Sequence, residues 1–190
     1  AAIADAAQSR LGDFSPQNLA NTAWAFATAG VDAPRLFAAI ADAAPLRLCD
    51  FKPPELASTM WAFASAGIIA TGLFTAIADA ALSRLCDFNP IELTSTAWAF
   101  ATAGFAAPRF FAVFANTALS KLLVFTAQNL ANTAWAFATA GVDAPRLFAT
   151  ITDATQSKLR DFNPQALANT AWAFATAGID APRLFAAIAD

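Results

Sequence analysis

The residues of this chain best able to do chemistry are few, and they recur at one interval. Its two cysteines, Cys49 and Cys86, lie 37 residues apart. Asp5, Asp42, Asp79, Asp153 and Asp190 share one phase of that interval, with Asn116 in the missing place. Arg35, Arg109, Arg146 and Arg183 share another, interrupted by Gly72. There is no histidine and no tyrosine. The commonest general base, and the commonest zinc ligand besides cysteine, are therefore missing. No serine or cysteine has an evident base beside it. If successive units stack as helices, they sit about 8–10 Å apart, whereas a disulfide needs Cα atoms within about 7 Å. The cysteines are expected to be free, small and packed. A carboxylate row spread by a fixed period reads as a solvated or paired face. The chain is expected to be non-enzymatic, with no cofactor, no metal site and no small-molecule substrate.

The interval itself must position these residues. Trp24, Trp61, Trp98, Trp135 and Trp172 are each 37 residues apart, without insertion or deletion. "NLANTAWAFATAG" occurs at Asn18 and again, letter for letter, at Asn129. A fixed period in this range marks a repeat array whose units cannot bury their apolar faces alone. The units run 14–50, 51–87, 88–124 and 125–161. Residues 1–13 match the end of a preceding unit, and 162–190 form a partial fifth. Both ends fall inside a unit, so the chain reads as an excerpt of a longer array. At 58% hydrophobic and 13% charged it is not a disordered composition.

Each unit carries signals for two helices. Ser15, Asn89, Thr126 and Asn163 stand where an N-cap belongs. Pro16, Pro53, Pro90 and Pro164 follow at the first helical position; Lys52 breaks the cap pattern. Gly30, Gly67, Gly104, Gly141 and Gly178 mark left-handed C-terminal caps. After a short turn a second helix restarts at Pro34 and its equivalents. Arg10, Arg47, Arg84, Lys121 and Lys158 are placed in its last turn, where a cation suits the helix dipole. No strand signal is present. On a helical wheel, Trp24 and Phe26 lie about 160° apart, which predicts that the first helix (A) buries two flanks between neighbours. Its remaining strip holds Gln17, Asn18, Asn21, Thr22, Ala25 and Thr28. The second helix (B) should bury Leu36, Phe37, Ile40, Ala41, Ala44 and Leu48.

The sentence around Leu19–Ala27, Leu-Ala-Asn-Thr-Ala-Trp-Ala-Phe-Ala, with its period of 37, resembles the octotricopeptide and heptatricopeptide repeats of organellar proteins, algal and protist ones included. The resemblance covers essentially the whole chain. It implies an all-α, right-handed α-solenoid of stacked two-helix repeats and a chloroplast or mitochondrial address, soluble or peripheral to a membrane complex. It also implies RNA binding in many members.

Three surfaces are candidates for contact. Helical-repeat RNA binders read one base per repeat with two or three side chains; here the readers would be Asn21, Ser58, Ser95, Asn132 and Asn169, with Asn18 and Asn129 beside them. Glu55 and Glu92 in the latter row would repel phosphate. Arg35, Arg109, Arg146 and Arg183 sit in the first turn of B, where the dipole disfavours a cation. A carboxylate such as Asp32 or Asp42 is the favoured compensation, phosphate the alternative. In units two and three the A–B turn trades charge for apolar bulk. Ile68, Ile69, Phe105 and Val113 would then form a protein-partner surface. The net charge of −3 gives a weak electrostatic footprint for nucleic acid. The leading expectation is a scaffold docking other protein subunits of a large organellar assembly, free or membrane-associated; RNA is the alternative partner. Residues 56–78 carry no charge over 23 positions, but the repeat frame breaks them at Gly67 into two helices.

Overall fold

A computed structural model describes residues 2–189. Among them the chain forms eleven α-helices, joined by turns and 3-10 segments, with no strand. They are α1 Ala2–Gln8, α2 Pro16–Thr28, α3 Pro34–Ala43, α4 Pro53–Ser65, α5 Thr71–Leu82, α6 Pro90–Thr102, α7 Pro108–Lys121, α8 Ala127–Thr139, α9 Pro145–Ser157, α10 Pro164–Thr176 and α11 Pro182–Ala189. The even-numbered helices are the A helices and the odd-numbered ones the B helices. Helices pack on their neighbours in sequence order, in two layers, as an α-solenoid does. The A helices make the broad contacts, each with the A helix before and after it, while the B helices touch one another more sparingly.

The helix ends follow local chemistry. Ser15, Asn89, Thr126 and Asn163 accept a hydrogen bond from the backbone N–H three residues on. Lys52 has no acceptor to offer, so at α4 only the reciprocal bond forms, from the Lys52 N–H to the Glu55 carboxylate. At the other end Gly67 takes φ of +68°. Its N–H then reaches the Ala64 carbonyl and that of Ile68 reaches Phe63, satisfying carbonyls the helix leaves orphaned. This break divides the uncharged stretch 56–78, and no helix among the described residues is long and apolar enough to cross a membrane.

Alanine makes the close A–A packing feasible. Ala57 and Ala64 lie on one flank of α4, Thr59 and Ala62 on the other, and all four are buried. Larger residues face the B layer: Leu56, Met60 and Phe63 are fully buried. Units are locked by phenylalanine. Phe37 of α3 meets Phe63 of α4 edge-on at 4.9 Å, and Phe111–Phe137 and Phe148–Phe174 repeat this at 5.0 and 5.1 Å. Each buried phenylalanine contributes about 1.5–3 kcal/mol.

A second lock corrects the role expected of the basic row. Most B helices end before it, and the chain breaks at Arg47, Arg84 and Lys158 with φ between −117° and −135°. The side chains then reach back one unit. Arg47 donates to the Phe14 carbonyl at 2.8 Å. Lys121 Nζ donates to Cys86 and Phe88, both at 2.6 Å, and Lys158 Nζ to Leu123 and Phe125 at 2.8 and 2.6 Å. The cation serves the preceding unit's carbonyls rather than its own helix dipole.

Candidate interaction face

The outward strip of the A helices differs from the expected one. Looking down α4, solvent meets Pro54, Ser58, Trp61 and Ser65. The equivalent rows are Gln17, Ile91, Gln128 and Gln165; Asn21, Ser95, Asn132 and Asn169; Trp24, Trp98, Trp135 and Trp172; Thr28, Thr102, Thr139 and Thr176. The tryptophans were expected on a buried flank. Instead Trp24 and Trp172 are 48% and 47% exposed, and the central three are half-buried. Conversely, the threonine and alanine rows placed on the open strip turn inward wherever another A helix precedes: Thr59, Thr96, Thr133 and Thr170, with Ala62, Ala99, Ala136 and Ala173, are fully buried, while in α2 Thr22 is half-buried and Ala25 stays exposed. The physical reason is size. Close helix packing admits Thr and Ala at the seam, and the indole, too large for it, is turned out onto its neighbours.

The tryptophans form a ladder. Successive ring centroids lie 6.5, 6.4, 6.3 and 6.2 Å apart, with interplanar angles of 27–33°. Packed helices keep their axes at least about 8 Å apart. The indoles therefore reach toward one another across the spacing of the A helices.

The expected reader rows separate. Asn21 is exposed, and Ser58, Ser95, Asn132 and Asn169 are half-exposed on the strip. Gln128 Nε2 donates to Asn132 Oδ1 at 2.7 Å. Asn18 and Asn129 instead belong to capping boxes. Asn18 Oδ1 accepts from the Ser15 N–H and hydroxyl at 3.0 and 2.7 Å. Asn129 is 6% exposed, accepts from the Thr126 N–H and hydroxyl, and donates to Thr94 Oγ1 at 3.3 Å. Glu55 and Glu92 occupy the same capping position, half-exposed at the A–A seam. Glu92 also lines a shallow groove between α4 and α6 with Trp24, Pro54, Trp61, Ile91, Ser58 and Ser95.

Arg35, Arg109, Arg146 and Arg183 are all exposed. The compensating carboxylate expected for them is not there: among the described residues the ion pairs are Arg10–Asp13 at 3.8 Å and Arg47–Asp50 at 4.0 Å. Asp5, Asp42, Asp79 and Asp153 are exposed; Asp190 lies outside the described residues.

The apolar quartet also divides. Ile68 and Phe105 follow the capping glycines and are half-buried plugs; Phe105 rests on Phe100 at 5.7 Å and Phe74 at 5.4 Å. Ile69 and Val113 are 60% and 39% exposed. Cys49 and Cys86 are free, but exposed rather than packed, each beside the carboxylate of the next residue. The 3-10 turns that carry them pack against the next B helix, α5 for the first and α7 for the second, and leave both thiols at the surface.

A two-layer stack of helical hairpins is a helical-repeat protein of the α-solenoid class. A comparison with protein-family models matches residues 16–190 to the family described as RNA-editing substrate-binding complex 6 protein, RESC6, and the chain belongs to that family. A comparison with curated proteins found no match. From the octotricopeptide and heptatricopeptide resemblance the helical-repeat architecture stands; the family matched is RESC6.

Proposed function

We propose that this array is a non-catalytic scaffold that docks protein partners inside an RNA-editing substrate-binding assembly, the kind of complex its family is named for. The observation that carries this is the A-helix strip. It runs the length of the array, presents tryptophan, amide and hydroxyl groups in register, and holds no lysine or arginine. Such a face suits polypeptide better than phosphate, which needs cations. The organellar address belongs to the same proposal, mitochondrial rather than chloroplast for an RNA-editing assembly, with the array soluble or peripheral to a membrane.

RNA is the second reading, favoured by one observation. Arg35, Arg109, Arg146 and Arg183 are exposed without a carboxylate partner among the described residues. Phosphate would rest on them, with Asn21, Ser58, Ser95, Asn132 and Asn169 as readers. Crosslinking the native assembly tests the choice. Protein–protein crosslinks to the A-helix face, with an RNA affinity of the isolated array that is weak and flat in salt, are expected. Ultraviolet RNA adducts on that face, with an affinity falling steeply as salt rises, would overturn the docking reading.

A further inference from the structure

We infer that the tryptophan ladder seats an extended polypeptide segment bearing lysine or arginine, laid across the A helices with two of its residues per unit. This deepens the docking proposal and rests on it.

The first support is pitch. The ladder steps are 6.2–6.5 Å. An extended chain rises about 3.2–3.4 Å per residue with side chains alternating in direction. Every second side chain therefore advances by one ladder step, and each meets the same environment. The four steps accommodate about eight residues. A bound α-helix would advance about 6 Å in four residues but turn some 40° beyond a full revolution, so its contacts would drift off the row.

The second support is hydrogen-bonding chemistry. One turn from each tryptophan stands Asn21, Ser58, Ser95, Asn132 or Asn169. Amide and hydroxyl groups both donate and accept. One such group per unit matches a backbone that offers an N–H and a C=O at each two-residue step, whatever its sequence.

The third support is charge. The strip carries no cation, and Glu92 lines the groove beside Trp61, with Glu55 at the equivalent place one unit earlier. A lysine or arginine lays its aliphatic stem on the indole and its head toward the carboxylate. A phosphate backbone would meet those same carboxylates with nothing on the strip to neutralise it.

The test is a titration of the 190-residue chain, read by tryptophan fluorescence. The probes are a nine-residue peptide alternating lysine and valine, its glutamate counterpart, and a ten-nucleotide oligouridylate. The lysine peptide is expected to bind at least about tenfold tighter than the glutamate peptide. Glu55→Gln with Glu92→Gln keeps an acceptor for the Lys52 and Asn89 N–H groups and should weaken it about tenfold, as loss of charge-assisted contacts does. Ser58→Lys with Ser95→Lys, both at the surface, should abolish binding while leaving the circular dichroism unchanged. Equal binding of the two peptides would overturn the inference. So would oligouridylate binding to the unaltered chain at least as tight as that of the lysine peptide. If the lysine peptide fails while the native assembly still crosslinks to protein through this face, the extended-segment inference falls and the docking proposal survives; if the crosslinks are also absent, both fall.

Discussion

The ammonium nitrogen of Lys121 lies 2.6 Å from the carbonyl oxygen of Phe88, 33 positions earlier, and so joins one unit to the one before. The contact is half-buried, and it satisfies a carbonyl at the end of a 3-10 turn that helix packing leaves without a partner. Lys158 does the same to Phe125.

Replacing Lys121 by Met should therefore cost about 1.5–3 kcal/mol, the range for hydrogen bonds to a charged group. Leu123→Ser, at a position 88% exposed nearby in sequence, should stay within about 0.5 kcal/mol. Urea denaturation checks both. A neutral Lys121→Met would mean the staple is solvent-screened and does not hold the units together.

The tryptophan and phenylalanine rows should separate in stability. Phe100 is fully buried, and Phe100→Ala should cost about 3–5 kcal/mol. Trp98 is partly buried, with one edge open to solvent, and keeps two ring neighbours, at 6.4 and 6.3 Å. Each aromatic pair is worth about 0.5–1.5 kcal/mol, so Trp98→Ala should cost clearly less than Phe100→Ala. Equal losses by thermal or chemical denaturation would contradict the outward placement of the ladder.

Two glycines should respond with opposite sign. Gly104 sits at φ +61°, and Gly104→Ala should destabilise by about 1–2 kcal/mol through backbone strain alone, since its Cβ would meet nothing within 4 Å. Gly72 lies in the first turn of α5 with ordinary helical geometry and equally open surroundings. Gly72→Ala should stabilise by about 0.4–1 kcal/mol, because the unfolded chain has less freedom to lose. A shared sign would show that neighbouring packing, not backbone conformation, governs these sites.

Cys49 and Cys86 should alkylate rapidly in the native protein, at rates close to those in denaturant, and the unreduced chain should keep both thiols. Mass spectrometry after a timed iodoacetamide pulse reads this. Protection of either cysteine until unfolding would contradict its exposure on the 3-10 turn.

Much of the fold was legible because local chemistry repeats in register. A cap residue, a proline at the first helical position and a glycine 14 positions after it delimit each A helix from α2 to α10, save that Lys52 stands in the cap's place in α4 and Ala127 in the proline's place in α8, and no distant partner is needed to place them. What periodicity could not tell was which of two flanks closes against a neighbour. On the wheel, tryptophan counts as apolar and threonine as polar, so Trp98 went inward and Thr96 outward. Packing reverses them, because the distance between A helices is set by the smallest side chains at the seam. Thr96 can turn its hydroxyl back to the Glu92 carbonyl at 2.8 Å and be buried without an orphan, while an indole there would force the helices apart. The same limit hid the staples: Lys121 and Phe88 are 33 residues apart, and no local rule connects them. Only the stacked units bring the ammonium to its carbonyl, as only their stacking brings five tryptophans into one ladder. The sequence by itself therefore determined the unit, its two helices and their ends, which depend on backbone conformation. The tertiary structure decided which face is open, because that depends on how closely whole helices approach.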